Sequence, residues 1–370
     1  MKIDWDSVQG EFRELVGEVE GLRLDRGHVE RMAREIAAGR VGLGANRISG
    51  SLRPARLAEL DRLESLPARE RERFAELGRV ALERGEVAAA VLNGGMATRF
   101  GGAVKGIVPA LGERTFLELK LAHARSCSPG PLVVMNSFAT HASTQRFLAE
   151  RDLEQSTHVF LQGVSLRLTP KGELFRDDAG RISIYATGHG DFPEAARHSG
   201  TLERLRRRGV RALMLSNIDN LGAVLDSVIV GYHLASGKLL TAELAETAPG
   251  DAGGAPAYVN GALQIVEGFR WPEGFDVASL EVINTNTFVM SLELLEQEHP
   301  LTWFYVEKAV DGRRAVQMER LVNELSARVE TNYLVTPRTG PAGRFFPTKT
   351  REDLDRIRED PSLAARYASV

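Results

Sequence analysis

From residue 87 onward, short apolar runs alternate with amphipathic stretches of helical length. The runs are VAAAVL, PLVVM, HVFL, VRALML and LEVI, and stretches such as RTFLELKLAHARS and EAARHSGTLERLRRRG lie between them. Strand–helix–strand alternation predicts an α/β architecture with a mixed, mostly parallel sheet. Before residue 87 the pattern is helical. Phe12, Leu15, Val16 and Val19 fall at helical spacing, and HVERMAREIAAG comes next with a glycine stop. LAELDRLESLPARERERFAELGRVALERG reads as a second helical block, also ending in Gly. The chain therefore divides into an N-terminal helical segment (1–86), an α/β domain (87–355) and a short C-terminal tail (356–370). The helical segment is expected as a solvated appendage.

The residues just past each apolar run carry more information than the run itself. The five runs lead into Asn93-Gly94-Gly95, Asn136-Ser137, Gln162-Gly163, Ser216-Asn217-Ile218-Asp219 and Asn284-Thr285-Asn286. Asn and Asp favour turns on their own account. Five polar strand ends together predict a shared crevice, because ligands of open α/β sheets bind beyond the carboxyl ends of the strands.

Composition narrows the partners. The 370 residues are 43% hydrophobic and 26% charged, with 47 basic and 50 acidic side chains and a net charge of −3. That balance gives no global field for nucleic acid or an anionic membrane, and aromatics at 6% offer no stacking surface. A single Cys127 excludes an intrachain disulfide and suits a reducing cytoplasm. The charged start MKIDWDSVQGEFREL has no signal-peptide apolar core, and no window suits a bilayer span.

VLNGGMATRFGGAVKGI, residues 91–107, is the stretch richest in chemistry. It lacks the Gly-x-Gly-x-x-Gly spacing of a dinucleotide fingerprint and the Gly-Lys-Ser/Thr of a Walker A loop. Its backbone N–H groups can still form an anion cradle, with Lys105 near enough to add a point charge.

LNGGMATRFGGAVKG resembles the nucleotide loop of the UTP–glucose-1-phosphate uridylyltransferase (UDP-glucose pyrophosphorylase) family. Further segments occur in the family's order: TGHGDFPEA, LSNIDNLGAVLD, EVINTNTFVM, AVQMERLVNELSA (similar to a family helix) and GRFFPTKTREDL. The matches run from about residue 90 to 355. The resemblance implies a Rossmann-like, glycosyltransferase A-like nucleotidyltransferase core, with Mg²⁺ as cofactor and small-molecule substrates. It implies Lys105 and Lys349 as catalytic cations and Asp219 as the metal ligand. Leu92, Asn93, Gly94 and Gly95 would meet the nucleotide through their backbone, joined by Gln162, Gly188 and Asp219. His189, Asn217, Asn260, Asn286 and Lys349 would meet the sugar phosphate. Met96 and Phe100 read as packing.

Departures cluster around the pockets. Ala97 stands where the family has a third loop Gly, Asn260 replaces a Glu and Thr287 an Asn, and Lys105 arrives one residue early without its usual Pro. FLQGVSLRL keeps the Gln and Arg but loses a Ser and a Pro. About 20 residues come after Lys349, where the family pattern continues into a β-helix, so that element is not expected. The default reaction is UTP with glucose 1-phosphate giving an NDP-sugar and pyrophosphate. Altered pockets leave open a second pairing, GTP with valienol 1-phosphate, as in aminocyclitol antibiotic synthesis. A nucleotide-binding regulator without turnover is the reading of another class.

Overall fold

The computed structural model describes residues 3–17, 19–95, 103–251, 253–368 and 370. Met96, Ala97 and Phe100 lie outside the described residues. Eight strands form the central sheet: β1 (Asp61–Arg62), β2 (Val87–Asn93), β3 (Leu132–Asn136), β4 (Thr157–Leu161), β5 (Ala212–Asn217), β6 (Leu240–Glu246), β7 (Val282–Ser291) and β8 (Thr331–Val335). Their spatial order is β1-β8-β6-β7-β5-β2-β3-β4. Every pairing is parallel except those of β7, which runs against both β5 and β6. β2, β3 and β8 are buried along their whole length, as near-continuous apolar strands covered on both faces should be.

All five apolar runs of the sequence lie in this sheet, but the fifth arrives differently from the other four. LEVI opens the reversed strand β7 and does not end a parallel one, so Asn284–Asn286 lies inside a ten-residue strand. Because β7 is reversed, those residues still lie past the carboxyl end of β5, where Leu215 pairs with Phe288.

The N-terminal segment is not a solvated appendage. Helices α1 (Trp5–Val16) and α2 (Arg26–Ala37) bury Val8, Val29, Met32, Ala33 and Ile36 against Val164, Leu166, Ile184, Tyr305, Val316 and Met318. Leu52–Pro54 pairs with Ala255–Val259, and β1 extends the central sheet beside β8. The second helical block is helical only in α3 (Ala68–Glu83). Ahead of Pro67, residues 57–65 form two 3₁₀ turns around β1, because pairing with β8 takes the backbone bonds a helix would need. The stretch AVQMERLVNELSA departs likewise from its expected helix. Arg313–Glu319 is a strand paired with Phe304–Val310 across an Asp311-Gly312 turn at positive φ, and Val322–Ala327 is a 3₁₀ helix.

Further helices fill the layers: α4 (Phe116–Cys127), α5 (Phe138–Glu150), α6 (Phe192–His198), α7 (Thr201–Arg207) and α8 (Ser227–Ser236). The C-terminal tail forms two helices, Arg351–Glu359 and Pro361–Ala368. Their Leu354, Ile357, Leu363 and Tyr367 enter the same core as Val91 and Met214. Among the described residues no helix is long and apolar enough to cross a membrane.

α3 and α8 touch backbone to backbone. A Cβ on Gly78 would lie 1.9 Å from the Ser227 carbonyl oxygen, and one on Gly231 would lie 1.8 Å from that of Phe74. Gly231→Ala is expected to cost about 1–3 kcal/mol by forcing the helices apart. A urea midpoint shift at unchanged slope would register it; an unshifted midpoint would contradict this packing.

Candidate active site

The parallel strands present their carboxyl ends on one edge, and the polar residues there are bonded to one another. Ile218 N–H donates to the Leu92 carbonyl (3.2 Å), joining the ends of β5 and β2. The Asn93 side chain is buried and turned inward: its Nδ2 donates to Asn136 Oδ1 (2.7 Å) and Thr144 Oγ1 (3.0 Å). That leaves ligand contact at this loop to the backbone. Gln162, buried after β4, lies against Gly94, where a Cβ would sit 3.0 Å from Gln162 Nε2. The base-reading candidate therefore flanks the Gly turn.

Gly188 and Gly190 are dictated by close approach. Gly188 has φ +92, and a Cβ there would meet the Arg320 carbonyl at 2.6 Å. One on Gly190 would meet Leu321 N at 2.4 Å. Asp191 secures the turn, accepting from Gly163 N–H and pairing with Arg320. Arg320 also bonds Glu194, at 2.5 Å. Between the glycines, His189 Nδ1 accepts from Val322 N–H (3.0 Å), so the neutral ring carries its proton on Nε2. Desolvation lowers its pKa to about 4, which keeps the ring neutral at physiological pH.

Lys105 opens a short 3₁₀ turn, and its Nζ donates to Asp219 Oδ2 (2.6 Å) and the Thr348 carbonyl (2.7 Å). Asn220 ties the same segments together, donating to the Arg344 carbonyl (3.0 Å) and accepting from Phe346 N–H (2.9 Å). Exposed Lys349 comes directly after, its backbone N–H held by Asp353 (2.8 Å). Three segments distant in sequence thus bring Lys105, Asp219 and the stretch carrying Lys349 together. Among the described residues, no group of three or more His, Cys, Asp or Glu side chains could hold a metal alone. One carboxylate beside a lysine is a donor set that Mg²⁺ can use, since that ion is held by one or two carboxylates plus substrate phosphates.

Asn286 reaches the site through a break in register. Glu243 pairs with Thr287 and Leu244 with Asn284, so Thr285 and Asn286 bulge out of β7, and Asn286 takes φ +55. Its Nδ2 donates to Asn217 Oδ1 (2.9 Å). Asn286→Gly is expected to keep the fold, whereas Asn286→Ala should cost about 1–2 kcal/mol for a Cβ at left-handed φ. Thermal melts of the two variants side by side check this, and equal melting would refute the strain.

Asn260 is not brought to this set. Asn260-Gly261 is the two-residue turn of the hairpin 255–266, with φ +50 and +85, and Asn260 Oδ1 accepts from Ser51 N–H (3.1 Å). Its residue type has a local reason, the turn, and its side chain is spent on Ser51.

Two residues missed in the sequence belong to the surroundings. Glu267 accepts from Asn323 Nδ2 (2.8 Å); burial raises its carboxyl pKa, and Lys349 opposes that rise. Lys120 is buried behind β5, donating to Ser216 Oγ (3.1 Å) and the Ala223 carbonyl (2.6 Å). Desolvation brings its pKa down to about 7, with Asp219 opposing. A lysine inside the apolar run FLELKLA is the signal that could have found it.

The UTP–glucose-1-phosphate uridylyltransferase family model matches residues 51–361. A Dictyostelium discoideum UTP–glucose-1-phosphate uridylyltransferase 2 is 27% identical over 318 residues, 79% of this chain and 61% of its own length. The Hordeum vulgare enzyme of that name is 26% identical over 291 residues, 73% of this chain and 61% of its own. The chain thus spans under two thirds of the curated relatives it matches. In fold it is similar to a mutant UDP-glucose pyrophosphorylase from Leishmania major, with TM-score 0.75 and 24% identity over 98% of this chain and 81% of that one. It is also similar to a Trypanosoma brucei uridine diphosphate N-acetylglucosamine pyrophosphorylase, with TM-score 0.74 and 18% identity over 95% and 79%. With a family match reaching from the strand at Leu52 to the C-terminal helices, the chain belongs to the UTP–glucose-1-phosphate uridylyltransferase family.

Proposed function

We propose that this protein is a sugar-1-phosphate nucleotidyltransferase joining UTP and glucose 1-phosphate to give UDP-glucose and pyrophosphate. The observation that carries this reading is the convergence of Lys105, Asp219 and the Lys349 segment at the strand ends, beside a Gly turn flanked by Gln162. An anionic oxygen of the sugar phosphate attacks the α-phosphorus, and the bond from that phosphorus to the pyrophosphate oxygen breaks. The nucleophile is already charged, so the protein's task is positioning and charge compensation.

In this reading Lys105 exchanges its Asp219 partner for the triphosphate, and Asp219 would hold the metal. Mg²⁺, when bound, supplies charge neutralisation at the phosphoryl oxygens. Lys349 holds the α-phosphate against the incoming sugar phosphate. The Gln162 amide reads the base edge, while the backbone of Leu92–Gly95 and Gly188 encloses base and ribose. The His189 Nε2 proton and Asn217 meet the sugar phosphate, and Asn286 its hydroxyls. Asn260 is given no role. Residues 87–355 carry this chemistry, in a cytoplasmic setting consistent with the lone Cys127.

The named relatives are uridylyltransferases, which favours UTP with glucose 1-phosphate. The pairing of GTP with valienol 1-phosphate finds no support among them. The test is pyrophosphate release with Mg²⁺, crossing UTP, GTP, ATP, CTP and dTTP with hexose and cyclitol 1-phosphates. Fastest turnover with UTP and glucose 1-phosphate is expected. Preference for another pair would overturn the substrates, and nucleotide binding without turnover would make the protein a regulator.

A further inference from the structure

The arginine run ERLRRRG at the end of α7 is not absorbed by the proposed reaction. Arg206 and Arg207 have carboxylate partners in Glu296 (3.8 Å) and Glu203 (2.8 Å). Among the described residues Arg204 and Arg208 form no such pair. Arg204 lies in α7 and Arg208 caps its C-terminal end, and both exposed side chains line a surface cavity of about 240 Å³. Its other walls are Pro131, residues 154–158 and Leu205. Both guanidinium charges act on His158, whose ring bonds Thr201 Oγ1 (2.8 Å). Glu154 is the one acidic residue of the lining, and it is exposed.

Thr157, only 9% exposed, also lines the cavity, and its hydroxyl, buried behind the wall, has no hydrogen-bond partner among the described residues. Thr157 opens β4 and Gln162 comes just past its end, so the cavity lies roughly 17 Å along the strand from the nucleotide end.

We infer that this cavity is a second binding site, taking the phosphate group of a small phosphorylated metabolite between Arg204 and Arg208. Guanidinium forks bind phosphate oxygens in pairs, and two of them lining one cavity can share one phosphoryl group. The volume falls just below the range of drug-sized sites, which suits a ligand of a few carbons.

Calorimetric titration of the whole protein with glycerol 3-phosphate at constant ionic strength tests this. Wild type and Lys105→Ala are expected to bind alike, and the doubly substituted Arg204→Gln/Arg208→Gln protein to bind about tenfold more weakly or worse. Unchanged affinity in the arginine variant overturns the site, as does loss of binding in Lys105→Ala or no saturable binding to wild type. Inorganic phosphate binding as tightly as glycerol 3-phosphate overturns the metabolite assignment.

Discussion

Asp219→Asn is expected to lower Mg²⁺-dependent turnover about a thousandfold, equivalent to about 4 kcal/mol of barrier, without unfolding the chain. Asn keeps the shape and an acceptor for Lys105, whose Nζ lies 2.6 Å from Asp219 Oδ2, so the fold loses only one charge. Asp219 and Lys105 are both partly exposed, at 16% and 21%, which limits the stability their pairing can supply. Activity is where the carboxylate matters: among the described residues it is the acidic group bonded to Lys105. Pyrophosphate release measured beside the far-UV circular dichroism spectrum checks both halves. Near wild-type turnover would remove Asp219 from the metal site, and a lost spectrum would make its role structural.

Glu243→Ala is expected to be the most damaging change to stability, at about 3–5 kcal/mol. Glu243 in β6 and Arg344 are 1% and 4% exposed, bonded at 2.5 and 2.8 Å, with Arg344 also donating to the Val224 carbonyl (2.8 Å). Removing the carboxylate strands a guanidinium in the core. Replacing both partners by apolar side chains, Glu243→Met with Arg344→Leu, should recover most of the loss, since that leaves no charge unpaired. Urea midpoints of the single and double variants decide it; a mild single variant would show that water or another group reaches Arg344. Arg344 stands at the head of the segment that Asn220 clips to the Asp219 turn, so the single variant should also displace Lys349 and depress turnover.

Much of the site was legible because its signals are local. Val87–Asn93 is apolar and ends in Asn-Gly-Gly, and that pattern alone marks a strand running into a ligand turn. Gln162 and Asn217 end strands of the same kind. Asn260 has a second reading because Asn has two common uses, meeting a ligand and accepting positive φ in a turn, and residue type cannot separate them. The N-terminal block misled for a related reason. Its Leu, Arg and Glu content favours helix throughout, yet Asp61 and Arg62 pair with β8 and the residues on either side turn in 3₁₀ geometry.

The sequence by itself determined the α/β layering, four of the parallel strands and the polar ends that bear the site, because apolar period and turn chemistry act over a few neighbouring residues. It also determined family membership, through motifs kept in order from the Gly turn to Lys349. Only the tertiary structure decided that β7 runs backwards, that a two-residue bulge turns Asn286 toward Asn217, and that Lys105, 114 residues away in the chain, meets Asp219. Those arrangements rest on hydrogen bonds and ion pairs between distant segments, whose partners are chosen by which strands pair, and no local pattern of side chains encodes that choice.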